Sequence, residues 1–307
     1  MSTKNQYRFV LVSRKTRLQE LVERFNTWPQ AKFYLEHNQV DGQDYFDENA
    51  QYQQCLVDAE QTLKALGRFQ LLERSFLPNY QFSPDDIVVV IGQDGLVANT
   101  LKYLNGQPVI AINPDPTRWD GRLLPFEMAE LGSVVKRVMT DSISDKTITF
   151  AEATTNDGQR MLAVNDLFIG PQSHSSARYN LSLNDETEMQ SSSGVIISTG
   201  FGSTGWLQSI LAGARGVVGG KSKTESEGFD WDKQRLQFAV REPFPSNTTG
   251  TELVFGQVKG AEKLTLESFM PENGVVFSDG IQGDYLAFNS GCIVTVGVSD
   301  TVGRLVV

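Results

Sequence analysis

Histidine and cysteine are scarce in this sequence, with two of each in 307 residues. Cys55 and Cys292 stand far apart without Cys-x-x-Cys spacing, which excludes a disulfide framework or a thiolate zinc site as an organising feature. Both read as core residues. His37 and His174 are too few for a His–Cys metal cluster and make a histidine triad a poor candidate, so a general base here is expected to be a carboxylate. No metal site built directly from a cluster of protein side chains is expected. Basic charge is short as well: 27 Lys and Arg stand against 37 Asp and Glu, a net charge of -10. Broad contact with a phosphate backbone needs a basic face that releases counterions, so no nucleic-acid partner is expected. No apolar run approaches the roughly 18 to 20 residues of a membrane span, so no membrane partner is expected either. The short polar stretch Met1 to Asn5 leads at once into a strand pattern and leaves no room for a secretory leader. The expectation is a soluble cytoplasmic protein.

What is present is a change of pattern along the chain. Tyr7 to Val12 reads as a strand, and Leu18, Leu21, Val22 and Phe25 recur at helical spacing. Leu56, Ala59, Leu63 and Leu66 mark a second helix that stops at Gly67. Ile87 to Ile91 is a continuous apolar run of strand length, as expected for a parallel strand covered on both faces. A glycine turn, a helix through Leu101 and Leu104, and the strand Val109 to Ile112 then complete a βαβ unit. After about residue 125 one helix, Leu131 to Met139, is followed by short β segments at 147–151, 161–164, 179–183, 194–197, 236–240, 253–258, 264–267 and 293–298. Asn156-Asp157-Gly158 between two of them is a hairpin signal. The fold class is therefore α/β, with an α/β domain over 1–125 and a β-rich domain over 126–307 whose last few residues could pack back on the first.

Chemistry concentrates at element junctions. Gly92-Gln93-Asp94-Gly95 lies between a buried strand and a helix, where unpaired amides and the helix dipole favour a phosphate. An aspartate there is awkward for phosphate binding alone, which suggests that Asp94 takes a proton from an attacking hydroxyl or holds magnesium. The plainer alternative is a helix cap. Ser198 to Trp206 forms a second strand-to-helix turn crowded with glycines and hydroxyls, with Ser203, Thr204 and Gly205 leading to Trp206, which either stacks on a base or is simply core. Asn165-Asp166 offers donor and acceptor groups suited to ribose hydroxyls, or forms an exposed strand edge. Asp279-Gly280 either presents another carboxylate or makes a turn.

In this order and at these separations, the four pieces resemble the NAD kinase family. Its Gly-Gly-Asp-Gly-Thr loop is matched by Gly92 to Leu96 and its Asn-Glu pair by Asn165-Asp166. Its Ser-Thr-Pro-Thr-Gly-Ser-Thr-Ala-Tyr run is matched by Ser198 to Trp206, and its late Asp-Gly by Asp279-Gly280. Residues 112–116, 165–170, 192–194 and 240–243 look like the mitochondrial-type branch. The resemblance implies a Rossmann-like α/β domain followed by a β-sandwich-like domain, a cleft between them, and assembly as a homo-oligomer, dimer or tetramer. It implies NAD as substrate and ATP with Mg2+ or another divalent cation as phosphoryl donor. Asp94 would be catalytic, and Gly92, Gln93 and Gly95 would bind the ATP phosphates. Asn165, Asp166, Ser203, Thr204, Gly205, Trp206 and Asp279 would hold NAD.

Gln93 and Leu96 depart from the family loop, adding bulk and removing a hydroxyl, and Phe201 with Gly200 replaces its Pro-Thr pair. Two alternatives follow: a weakly active or inactive nucleotide-binding relative, or a lipid kinase of the diacylglycerol kinase superfamily.

Overall fold

A computed structural model describes residues 7–119, 121, 123–219, 228–281 and 283–307. The chain forms two compact units, one of residues 1–146 with 304–307 and one of residues 147–303.

In the first unit, β1 (Arg8–Ser13), β2 (Arg68–Glu73), β3 (Asp86–Ile91), β4 (Pro108–Asn113) and the short β5 (Phe126–Glu127) pair in parallel, in the order β2-β1-β3-β4-β5. Arg304 and Leu305 add to β4 beside Pro108 and Val109, also in parallel. All six residues of β3 are buried, as its unbroken apolar run requires. The helices are α1 (Arg17–Phe25), α2 (Trp28–His37), α3 (Gln43–Leu66), α4 (Asp94–Leu101) and α5 (Leu131–Met139). Thr16 starts α1 with a capping box to Gln19. The stripe Tyr52, Cys55, Ala59 and Leu63 of α3 packs with Leu131, Val134 and Val135 of α5 against Phe9, Leu11, Val89 and Ile110. The expected helix through Leu104 ends at Leu101 instead, and Leu104 is buried in the turn that follows.

The second unit is built from antiparallel pairs. Its strands are β6 (Asp145–Thr155), β7 (Arg160–Ala163), β8 (Asp166–Pro171), β9 (Ala177–Leu183), β10 (Glu186–Ser192) and β11 (Val195–Ser198). After α6 (Trp206–Val217) come β12 (Arg235–Val240), β13 (Phe255–Lys259), β14 (Leu264–Ser268), β15 (Gly274–Ser278), β16 (Tyr285–Ala287) and β17 (Ile293–Val306). One layer runs β10-β9-β14-β17, with β6 joining β17 to β7; the other runs β13-β12-β11-β8-β15-β16. Their inward residues, among them Tyr179, Leu181, Leu266 and Val296 from one layer and Leu167, Ile197, Phe238 and Val276 from the other, form one buried cluster. Gly158, at φ 87, turns β6 into β7 where the hairpin signal stands. The fold is thus α/β in its first unit and a β-rich, sandwich-like arrangement in its second. Among the described residues no helix is long and apolar enough to cross a membrane.

Candidate functional site

In the first unit, β3 delivers the chain to the glycine loop at a fixed point. The hydroxyl of Tyr52 donates to the carbonyl of Ile91 at 2.8 Å and accepts the Arg14 N–H at 2.9 Å. Burial pushes the Tyr52 hydroxyl up to about 12, so it stays a donor. At Gly92 a Cβ would meet Leu96 Cδ2 at 2.8 Å, so this position is kept bare by the packing of Leu96. Gln93 has φ -110 and ψ 165, extended backbone that any residue adopts, so its side chain brings no backbone strain. It is exposed.

Gln93 is the N-cap of α4 and makes no side-chain cap bond; Asp94 is the first helical residue and does not cap. The N–H groups of Leu96 and Val97 turn back to the carbonyl of Gln93. Those of Asp94 and Gly95 have no partner among the described residues, the usual orphans of a first helical turn. Asp94 Oδ1 accepts the N–H of Leu123 at 3.1 Å. A cavity of about 540 Å³ opens beside these groups, lined by Gln93, Asp94, Gly95, Arg118, Trp119 and Leu124. Its size is that of a small-molecule site, which spans roughly 300 to 1,000 Å³.

The turn after β4 also lines the cavity; its residues 112–116 carried a branch resemblance but no expected site role. Asn113 receives the N–H of Asp115 on its Oδ1 and donates its Nδ2 to the carbonyl of Trp119. Asp115 is opposed by burial, but its bonds from Thr117 and Arg118 outweigh that and hold its carboxyl below the usual range. Arg118 also reaches Asp44 at 2.6 Å.

In the second unit, Asn165-Asp166, Ser198-Thr199, Gly202 and Asp279 come together. The Asp279 carboxylate accepts the backbone N–H of Asn165 at 2.7 Å, of Val164 at 3.1 and 3.2 Å, and of Asp166 at 3.4 Å. Asp279 takes φ 54 and Gly280 φ 73, so the pair makes a left-handed turn and its carboxylate clamps the 164–166 bend. Thr199 adds a second clamp: its hydroxyl donates to the Val164 carbonyl and its N–H to the Asn165 carbonyl. A Cβ at Gly202 would overlap the carbonyl of Asn165, so this glycine permits close approach of two backbones.

Asp166 is half-buried, and its Oδ1 is out of reach of solvent and has no partner among the described residues. Burial, and secondarily the charge of Asp279, push its carboxyl up to about 7, against a hydrogen bond from Ser198. Such a carboxyl can give or take a proton near neutrality. Ser203 faces inward, donating to the Gly200 carbonyl at 2.6 Å and accepting the Phe229 N–H at 3.1 Å. Thr204 and Gly205 are exposed. Trp206 stacks on Phe168 at 5.8 Å, with the Arg241 guanidinium 5.4 Å from its ring centre, so much of its face is already taken by protein.

No family model matches the sequence, and no curated protein matches it as a relative. Solved structures match the fold. The structure of yeast NADH kinase complexed with NADH aligns with 99% of this chain and 84% of its own, at a TM-score of 0.58 and 14% identity. That of an NAD kinase from Archaeoglobus fulgidus in complex with ATP aligns with 97% of this chain and 92% of its own, at 0.55 and 15%. At these identities the likeness establishes the fold.

Proposed function

We propose that the chain is an NAD kinase, transferring a phosphoryl group from ATP to the 2′-hydroxyl of the adenosine ribose of NAD to make NADP. The observation that carries the proposal is the Asp94 loop: a carboxylate and two orphan amides on one cavity at the start of α4, in a fold shared with NAD and NADH kinases. Asp94 takes the proton of the attacking hydroxyl through the oxygen that Leu123 leaves unused. The amides of Asp94 and Gly95 hold phosphate oxygens and offset the charge that develops on them. Gly92 supports this by letting Leu96 pack under the turn, and Gln93 contacts the phosphates from its exposed position. Asn165 and Asp166 hold NAD hydroxyls, with Ser203, Thr204, Gly205 and Trp206 beside its rings; Asp279 acts on NAD indirectly, by shaping the 164–166 bend.

Among the described residues no three His, Cys, Asp or Glu side chains are grouped to hold a metal. Magnesium carried by ATP does not need such a cage, since it takes one or two carboxylates alongside phosphate oxygens, and Asp94 lines the cavity to serve. When bound, the ion neutralises charge on the transferring group. The proposal extends to a cytoplasmic homo-oligomer.

A second reading is nucleotide binding without transfer. It draws on Leu96, a buried apolar side chain where the resembled loop carries a threonine hydroxyl. Incubation with NAD, ATP and magnesium separates the two. The kinase reading expects NADP, and an Asp94→Asn variant slower by about 10²-fold or more. Absence of NADP alongside measurable NAD binding and no tight ATP binding selects the second.

A further inference from the structure

Among the described residues one cation lines the cavity beside Asp94, and two carboxylates set its orientation. Arg118 gives Nη1 to Asp44 Oδ1 at 2.6 Å and Nε to Asp115 Oδ2 at 3.3 Å. Its Nη2 has no partner among the described residues. Asp44 in turn takes Arg17 at 2.7 Å on its other oxygen, and Arg17 shares the buried Glu48 with Arg14. Arginine and carboxylate alternate along this chain of contacts, Arg14, Glu48, Arg17, Asp44, Arg118 and Asp115, so the charges match. Its effect is to fix an orientation rather than to create a positive field. The backbone is fixed too: the N–H groups of Arg118 and Trp119 both donate to the Asp115 carbonyl at 3.1 Å. At Gly121, φ is 57 and a Cβ would meet Asn113 Nδ2 at 2.5 Å, which keeps the turn closed over Asn113.

A guanidinium held by two of its edges presents its remaining N–H groups at little further entropic cost, and oxyanions are what such a fork recognises. The same cavity is lined by Asp94 and Gly95, whose orphan amides favour an oxyanion as well. A polyphosphate beside the Asp94 carboxylate needs directed N–H donors, and the fixed Arg118 fork adds to the two amides on the same cavity. We propose that Arg118 is the side chain that grips the phosphates of the phosphoryl donor, through Nη2, in the cavity it shares with Asp94. Trp119, half-buried in the same wall with Arg14 5.6 Å from its ring centre, reports occupation of that cavity. The identity of the donor as a nucleotide rests on the kinase reading; the anion contact does not.

The test uses the full chain and inorganic tripolyphosphate as the probe, with affinity read by calorimetry and by quenching of Trp119. Arg118→Gln is expected to weaken binding by about tenfold or more, because a charge-assisted bond is lost. Arg118→Lys, which keeps the charge but not the fork, is expected to fall between, and Trp119→Phe to remove the quenching. A wild-type protein that ignores millimolar tripolyphosphate overturns the inference, as does a folded Arg118→Gln variant that binds like wild type. Should the glutamine variant not fold, the lysine variant decides, and wild-type affinity in it is contrary. NADP formation is assayed separately. Arg118-dependent binding without NADP removes the kinase reading and leaves this inference standing. Turnover with the KM for ATP unchanged in Arg118→Lys does the reverse.

Discussion

Replacing Asp279 by alanine is expected to destabilise the second unit by about 3 kcal/mol, with the effect centred on residues 164–166. Three backbone N–H groups lose their acceptor in that variant. Val164 is fully buried, so its amide has no water to turn to and costs about 1 kcal/mol or more. Asn165 and Asp166 are half-buried and recover part of their loss from water, leaving about 0.5 kcal/mol each. Alanine at φ 54 adds about 1 kcal/mol of backbone strain. Asparagine tolerates that φ and keeps one acceptor oxygen, so Asp279→Asn should cost only about 1 kcal/mol. Urea unfolding followed by circular dichroism measures both variants. The reasoning is refuted if the alanine variant lies within about 0.5 kcal/mol of wild type, or if asparagine is as damaging as alanine.

Other expectations concern Asp166 and two glycines. Because the Asp166 carboxyl sits near 7 when folded and near 3.8 when unfolded, the native state binds the extra proton between those values. Stability from this group is full below about 3.8, falls as pH rises from there to about 7 and is level above, so Asp166→Asn should flatten the slope between about pH 4 and 7. A carbon-detected carboxyl titration placing Asp166 near 4 would contradict this. Gly202→Ala should cost about 2 kcal/mol or more, since the added carbon meets the Asn165 backbone and neither side can yield. Gly95→Ala meets nothing within 4 Å and should be neutral or slightly stabilising in the helix. Equal melting temperatures for the two alanine variants would discredit the packing argument.

Much of the first unit was legible because its elements are fully covered and therefore strongly patterned. The runs that became β3 and β4 are apolar throughout, and α3 carries a stripe with a glycine at its end. α2 left no trace, since only Ala31 and Leu35 of its ten residues are buried. The edge strand β2 was also missed; it buries only Leu72, so no alternation marks it. β10 was missed for a different reason: Glu186 to Ser192 is almost wholly polar, and its pairing with β9 is set by the backbone ladder. At the candidate site, the strand-to-helix setting of Asp94 could be inferred from the glycines. The clamp made by Asp279 could not, because it joins residues separated by 115 positions. Nor could Arg118, whose meaning depends on Asp44 being brought to it from 74 residues away. The only local sign was an arginine in a turn rich in aspartate and proline.

The central claim is that Asp94 serves phosphoryl transfer to NAD. The direct measurement is NADP formed by the purified protein from NAD and ATP with magnesium, wild type against Asp94→Asn. Asparagine keeps an acceptor for the Leu123 N–H, so the loop should survive while the proton acceptor is lost. The account predicts NADP from wild type and a rate lower by about 10²-fold or more in the variant, with unchanged unfolding. NADP formed equally fast by both proteins, or by neither, would contradict it.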